Sequence, residues 1–214
     1  MFFGSFFYFH DFPPAAAATA AILIVPSLLT TNAIYRAWCT GAAILLLAAS
    51  LEGWAPLTIA IAAAIVTVVF LVAPRIPRAY GYGAAIALIV IDAFPFLGWG
   101  FSPQAAYAGG LLAGIALVYT AHRLFGGAKA PLYTAVVSLI LSPAPGVTAA
   151  LLLIVIGYGR AAPVLTALGI AAGLAYFSHY YYALSLTLLL KSVVLMASGL
   201  VLLALRWFLI RRAS

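Results

Sequence analysis

The sequence predicts an all-α fold, a polytopic bundle of transmembrane helices forming one domain over residues 1–214. Hydrophobic residues make up 67% of the chain and charged residues only 6%. A soluble domain carries about 25% charged residues, because water must wet its surface. Ten basic and three acidic residues are too few to cover such a surface, so we expect lipid to be the solvent.

Proline, glycine and the few charged residues divide the sequence into apolar runs. A hydrocarbon core of about 30 Å needs about 20 apolar residues per helix. About nine runs approach this length, with a range of about seven to nine crossings. They lie at 14–31, 33–51, 55–73, 80–98, 105–122, 130–142, 145–158, 161–179 and 185–209. The sixth and seventh runs are short, and the sequence leaves open whether both span or form a re-entrant pair.

The basic residues test this division, because Lys and Arg mark the cytoplasmic loops of membrane proteins. We assign the link at 74–79 to the cytoplasm and let the spans alternate from there. The basic residues that then fall inside are Arg36, Arg75, Arg78, Arg123, Lys129, Arg160, Arg206, Arg211 and Arg212. Only Lys191 falls outside. The sequence therefore predicts nine crossings and a cytoplasmic C-terminus.

The composition argues against several other classes of function. The net charge of +7 comes from scattered basic residues and not from a clustered basic face, so we expect no nucleic-acid binding. The single cysteine, Cys39, allows no internal disulfide and no cysteine-based metal cluster. The sequence has no phosphate-binding glycine loop, nucleophile elbow or His-Glu-x-x-His motif. We expect no enzyme activity, no cofactor and no metal site.

Two charged residues lie inside predicted spans, where a charge costs at least about 2.5–3.5 kcal/mol on insertion scales. Asp92 precedes the outer end of the fourth span, and Lys191 follows the outer start of the ninth. At about 1.5 Å per residue, both lie about 9–10 Å below the outer surface. We expect Asp92 and Lys191 to form an ion pair, or to share a small polar cavity with Ser192.

Three interpretations of these charges stay open. The pair is a static link between two helices, or it lines an ion or substrate path, or Lys191 reaches the outer headgroups alone. The static link is the simplest of the three, because a buried charge needs a partner whatever the protein does.

Aromatic residues close the eighth span at the same outer surface, namely His179, Tyr180, Tyr181 and Tyr182. We call this set the outer rim. Tyrosines at a membrane interface usually act as anchors, with the ring in lipid and the hydroxyl in water. The alternative is that the outer rim faces Asp92 and Lys191 and completes an outward-facing polar site.

Two pairs of glycines recur at a spacing of four residues. Gly110 and Gly114 lie in the fifth span, and Gly169 and Gly173 lie in the eighth. This spacing places both glycines of a pair on one helix face and lets a neighbouring backbone come close. We expect these four positions to serve helix packing.

Residues Pro145 to Trp207 resemble the C-terminal part of a bacterial membrane protein family called domain of unknown function 4401. The likeness rests on several motifs in this stretch: the turn Gly157 to Arg160, Gly169, the tyrosines 180–182 with Leu184, the run Leu188-Leu189-Leu190-Lys191-Ser192, and Gly199. The resemblance implies a polytopic protein of the bacterial inner membrane with no established activity. It also implies a membrane-anchored companion carrying a GDYXXLXY motif, for which the outer rim is a candidate docking surface.

Two functions follow as hypotheses. The first is a non-catalytic membrane subunit or scaffold that docks a membrane or extracytoplasmic partner. The second is a small-solute or ion transporter or channel that uses Asp92 and Lys191. Transporters ordinarily contain internal repeats with broken helices at matching positions, and we find no persuasive repeat. The sequence therefore favours the subunit.

Overall fold

A computed structural model of the chain describes residues 13–50, 55–73, 75–93, 103–126, 129–142, 144–183 and 196. Most of these residues are helical and none of them forms a strand, which confirms the all-α prediction for this part of the chain. The helices are α1 Pro13–Leu29, α2 Ala33–Ser50, α3 Ala55–Thr67, α4 Arg78–Ala93, α5 Pro103–Phe125, α6 Lys129–Leu141, α7 Pro145–Gly159 and α8 Pro163–Ala183. A π-helical turn, Val68–Val72, extends α3.

These eight helices follow the first eight predicted runs. The end of the fourth run and the ninth run, 185–209, lie outside the described residues except for Met196. The chain divides into two compact units, residues 1–176 and 177–214. All the packing described below belongs to the first unit, and a single domain over the whole chain stays a prediction.

Local sequence signals explain where the helices begin and end. Four helices begin at a proline, whose missing N–H costs nothing in the first turn and whose ring presets the backbone angle. Asn32 caps α2, because its side-chain oxygen accepts hydrogen bonds from the N–H groups of Ile34 at 3.0 Å and Tyr35 at 3.3 Å. Gly126, with φ of +56°, follows the last residue of α5 and supplies the left-handed conformation that commonly ends a helix.

Helices α2 and α4 run parallel and touch through their backbones. The Arg36 guanidinium lies over the ring of Tyr80 at 5.8 Å. Further along both helices, Gly83 of α4 packs against Ala37 and Gly41 of α2, and a Cβ at Gly83 would collide with the carbonyl oxygen of Ala37. Only a residue without a side chain permits this contact, so glycine at 83 sets the distance between the two helices.

Two antiparallel hairpins form the second half of the bundle. In the first, α5 packs on α6, with Gly110 against Ser142 and Gly114 against Ser138. In the second, α7 packs on α8, and the contacts there are Gly146 against Tyr176, Ile154 against Gly169, and Gly157 against Thr166. In each hairpin, later residues of the first helix contact earlier residues of the second. The two helices of each hairpin therefore run in opposite directions.

The five described arginines lie at one end of the bundle, which we call the arginine end. Arg160 donates a hydrogen bond from its guanidinium to the carbonyl oxygen of Leu71 at 2.9 Å. Leu71 lies just before the link that carries Arg75, and Arg78 begins α4. The arginine end therefore joins the end of α3, the start of α4 and the end of α7.

The remaining two arginines join the same end through their neighbours. Gly159 packs against the side chain of Leu124, the residue that follows Arg123. Arg36 reaches the start of α4 through Tyr80, and the Tyr80 hydroxyl donates to the carbonyl oxygen of Ser27 at 2.9 Å. The alternation of chain direction predicted from the sequence places these same five arginines together.

Alanines share the interior with larger aliphatic residues, and many other large apolar residues face outward. Alanines at 62, 63, 84, 85, 87, 113, 121 and 149 are at most 1% exposed. Ile115 and Leu139 are 66% and 67% exposed, and Trp38 is 76% exposed. Leu88 and Leu152 are fully buried, so the feature that a soluble protein ordinarily lacks is the large number of exposed apolar side chains.

The segment Tyr107–Phe125 of α5, with 19 residues and a mean hydropathy of 1.3, is long and apolar enough to cross a membrane. It is one such helix within the described residues, and the core helix of a soluble protein can meet the same criterion. The apolar parts of six other described helices are shorter, with 10–17 residues. Length and composition of the helices alone therefore hint at a membrane protein without establishing a polytopic one.

We expect Gly83→Ala to lower the free energy of unfolding by about 1–3 kcal/mol, because the new methyl group overpacks the contact with Ala37. Gly173→Ala is the matched control, since its Cβ would lie 3.6 Å from the Cβ of Ala150, an ordinary contact. Both changes raise the helix propensity by the same amount. The difference between the two variants in thermal unfolding in detergent therefore measures the cost of the collision. Equal unfolding midpoints for the two variants would contradict this account of the α2–α4 contact.

Candidate functional site

The candidate site lies around Asp92, in the last turn of α4 and at the end of the bundle opposite to the arginine end. The side chain is 4% exposed. Neither carboxylate oxygen has a hydrogen-bond partner among the described residues. A buried carboxylate without partners is costly, so this position calls for a cation, a proton or a donor.

The packing of α3 against α4 shows what lies level with Asp92. The rings of Phe70 and Tyr82 meet edge to face, with centroids 5.4 Å apart and planes at 77°. The two helices are antiparallel, so ten residues along each from this contact lead to Ala60 and Asp92. The neighbouring residues Thr58 and Ile59 are at most 1% exposed. Asp92 therefore lies at the level of a closely packed part of α3.

A tyrosine from α8 reaches α4 one turn before Asp92. The Tyr176 hydroxyl donates a hydrogen bond to the carbonyl oxygen of Ile89. Tyr176 is 2% exposed, and its ring packs on Gly146, where a Cβ would lie 2.8 Å from the ring. This hydrogen bond holds α8 against the segment of α4 that carries Asp92.

Sequence reasoning missed Tyr176 and concentrated on the tyrosines that follow it. The residues around it, Leu174 to Phe177, read as one more apolar run ending in an aromatic cluster. The available signal was a hydroxyl group inside that run, since a buried tyrosine usually finds a hydrogen-bond acceptor. Only the packing of α8 on α4 identifies the acceptor.

The proposed partners of Asp92 fall beyond the residues that the structure describes. Lys191 and Ser192 both belong to that part of the chain, so the ion pair and the shared polar cavity stay predictions. The backbone of Tyr180, Tyr181 and Tyr182 belongs to α8, but their side chains also lie outside the described residues. His179 is half-buried. The outer rim as a docking surface therefore also stays a prediction.

The four predicted packing glycines lie at contacts between helices. A Cβ at Gly110 would collide with the carbonyl oxygen of Ser142, and one at Gly114 would lie 2.8 Å from the Cβ of Ser138. On α8, a Cβ at Gly169 would lie 2.8 Å from Ile154, whereas Gly173 leaves room for one. The sequence pattern missed Gly83 and Gly157, because neither belongs to a repeat of four.

A second set of polar contacts lies at the arginine end. In the π-helical turn, Ala73 donates its N–H to the carbonyl oxygen of Val68 at 2.8 Å. The carbonyl of Leu71 accepts instead from Arg160. The Arg36 side chain similarly donates to the carbonyl oxygen of Thr30 at 2.5 Å. These arginines cap carbonyl groups at helix ends, which is a structural use of their charge.

The described side chains contain few groups for chemistry. Within the described ranges, no group of three or more His, Cys, Asp or Glu residues could hold a metal ion. Cys39 is buried. Apart from Asp92, the one buried polar side-chain atom without a partner in this part of the chain is the Ser138 hydroxyl. The geometry can hold a charge or a proton at Asp92.

These features together define a class of protein: an all-helical bundle with arginines at one end, outward-facing apolar residues and a buried carboxylate toward the other end. The chain belongs to the family described as domain of unknown function 4401 (DUF4401), whose profile matches residues 1–212. The match confirms the family suggested by residues 145–207 and extends it to the helices before them. No curated protein and no solved structure matches the chain.

Proposed function

We propose that this chain is a polytopic protein of the bacterial inner membrane, and that it serves there as a non-catalytic subunit or scaffold. One observation carries the membrane assignment: large apolar side chains face outward while the described arginines gather at one end. Positive charge marks the cytoplasmic side of membrane proteins. The arginine end then lies in the cytoplasm, and the end near Asp92 lies toward the outside.

Packing energetics support the same proposal. Lipid tails are as apolar as leucine, so helices in a bilayer associate through small residues and close backbone contacts. Alanines and glycines make many of the close contacts between helices here, such as Gly110 on Ser142 and Gly83 on Ala37. Exposed Ile115 and Leu139 would be unfavourable in water but are suited to lipid.

The α5–α6 hairpin bears on whether the short sixth predicted run, 130–142, spans the membrane. Helices α5 and α6 touch at Gly110 and Ser142 near one end, and they line one groove that reaches His122 of α5 and Pro131 of α6 near the other. Helix α6 therefore lies alongside α5, the helix that is long enough to span, over most of the length of α6. This favours α6 as a short transmembrane helix over a re-entrant segment. Local thinning of the bilayer would accommodate the helix length of about 20 Å.

Labelling of single cysteines tests the membrane topology. In a Cys39→Ala background, Gln104→Cys and Ala161→Cys each place a thiol at an exposed position, at the opposite end and the arginine end respectively. We expect a membrane-impermeant maleimide to label position 104 on intact spheroplasts, and position 161 only after permeabilisation. Labelling of both positions on intact spheroplasts, or the reverse pattern, would overturn the topology.

The subunit role predicts a companion that docks on the outer rim. We expect the purified chain to retain a second membrane protein after gentle detergent extraction, and Tyr181→Ala to lose it at unchanged yield. Tyr158→Ala is the matched control, because Tyr158 is 78% exposed but lies near the arginine end. Quantitative mass spectrometry of the two preparations measures the loss. A companion retained equally by both variants would exclude the outer rim as its docking surface.

A small-solute or ion transporter or channel is the second candidate, and the buried carboxylate of Asp92 is the observation that favours it. Intramembrane carboxylates mark ion and proton paths in transporters. An ion pair with Lys191 would explain the same carboxylate as a static link. The two interpretations differ in what neutralising Asp92 does to stability and to flux.

For the static link, we expect Asp92→Asn or Lys191→Met alone to lower the free energy of unfolding by about 3–5 kcal/mol, because the partner charge is left buried. Exchanging the two charges, Asp92→Lys with Lys191→Asp, should restore part of the loss. Thermal unfolding in detergent gives the stabilities, and ion uptake into liposomes gives the flux. If Asp92→Asn keeps its stability and changes uptake, the static link is wrong and the transporter is favoured.

A further inference from the structure

A groove lies between α5 and α6 and opens along the outside of the hairpin. Its volume is about 480 Å³. The α5 side is lined by Ile115, Val118 and Tyr119 and the α6 side by Ala135 and Leu139. Ile115, Tyr119 and Leu139 are each more than two-fifths exposed, so a ligand can enter from the side. The lining is almost entirely apolar, which suits a hydrocarbon chain.

The groove has the length of one leaflet. Its lining runs on α5 from Leu111 to His122, which is about 16 Å at 1.5 Å per residue. The hydrocarbon core of a bilayer is about 30 Å thick, so one leaflet contributes about half of that. Ser138, packed on Gly114, lies toward the deep end of the groove.

The other end of the groove carries the charge. His122 lines the groove there. The Arg123 guanidinium lies over the ring of Tyr119, a lining residue, at 5.8 Å from the ring centroid. Arg123 is exposed, and among the described residues the one acid, Asp92, lies on a different helix near the other end of the bundle. The groove is therefore apolar along its length and cationic at its mouth, which lies at the arginine end.

We propose that this groove binds one anionic phospholipid of the cytoplasmic leaflet, with an acyl chain between α5 and α6 and the phosphate at His122 and Arg123. Basic pockets between helices on the cytoplasmic side are suited to anionic headgroups. The charge complementarity selects an anionic over a zwitterionic lipid. The proposal rests on the membrane placement and orientation proposed above.

A fluorescent label tests it on the full-length protein in nanodiscs. In the Cys39→Ala background, Ala135→Cys places the label in the groove. Val136→Cys places it on the adjacent residue, which is 50% exposed and does not line the groove. The probes are brominated phosphatidylglycerol and brominated phosphatidylcholine, each at a small mole fraction. At position 135 we expect phosphatidylglycerol to be preferred as the quencher by about fivefold, the contribution of about one arginine, and at position 136 we expect no preference.

Removing the charge should remove the preference. Arg123→Gln should bring position 135 to equal quenching by the two lipids. Arg75→Gln should leave the preference intact, because Arg75 is an exposed arginine in the link before α4, whereas Arg123 lies over the lining residue Tyr119. Equal quenching in the unsubstituted protein, or equal losses from Arg75→Gln and Arg123→Gln, would overturn the lipid site.

Failure of the membrane placement gives a different result. A water-soluble quencher would then reach labels at both 135 and 136, and neither brominated lipid would quench them. Lipid quenching at both positions without a preference for phosphatidylglycerol would support the membrane placement and contradict only the proposed lipid site in the groove.

Discussion

Close backbone contact at small residues is the constraint on which the bundle depends. Gly83 lies against the backbone of α2, Gly110 against the turn after α6, and Gly157 against the start of α8. A side chain at any of these positions would separate two helices. The alanine-rich interior needs such proximity, because a methyl group reaches a neighbour only when the helix axes are near. Dispersion over these short contacts then adds to the packing of buried aliphatic residues such as Leu88 and Leu152.

Much of the fold can be predicted from the composition and from the prolines and charged residues that separate the apolar runs. Prolines 103, 145 and 163 begin helices in the structure at the places where the sequence divides its apolar runs. Arg36, Arg75 and the other described arginines gather at one end, as the alternation of the predicted spans requires. These features can be predicted locally, since a proline at a helix start and an arginine at the end of an apolar run are recognisable before their distant contacts are known.

Contacts that depend on tertiary packing escape sequence reasoning. Gly83 is one glycine in Gly81-Tyr82-Gly83, and nothing nearby in the sequence shows that it meets Ala37. Tyr176 is likewise hidden among aromatic residues until α8 packs on α4. Asp92 is intermediate: its cost in an apolar span is visible in the sequence, and its burial is seen in the structure. Its relation to Lys191 belongs to residues outside those described.

The link between Arg160 and Leu71 has a consequence for how the protein is made. The carbonyl group belongs to the third helix, but its donor is synthesised 89 residues later. At about 5–20 residues per second, the ribosome needs on the order of 5–20 s to supply it. During that time the carbonyl group of Leu71 lacks this donor and must rely on water. Biogenesis thus leaves this junction open until the seventh helix has emerged, and the arginine then closes it.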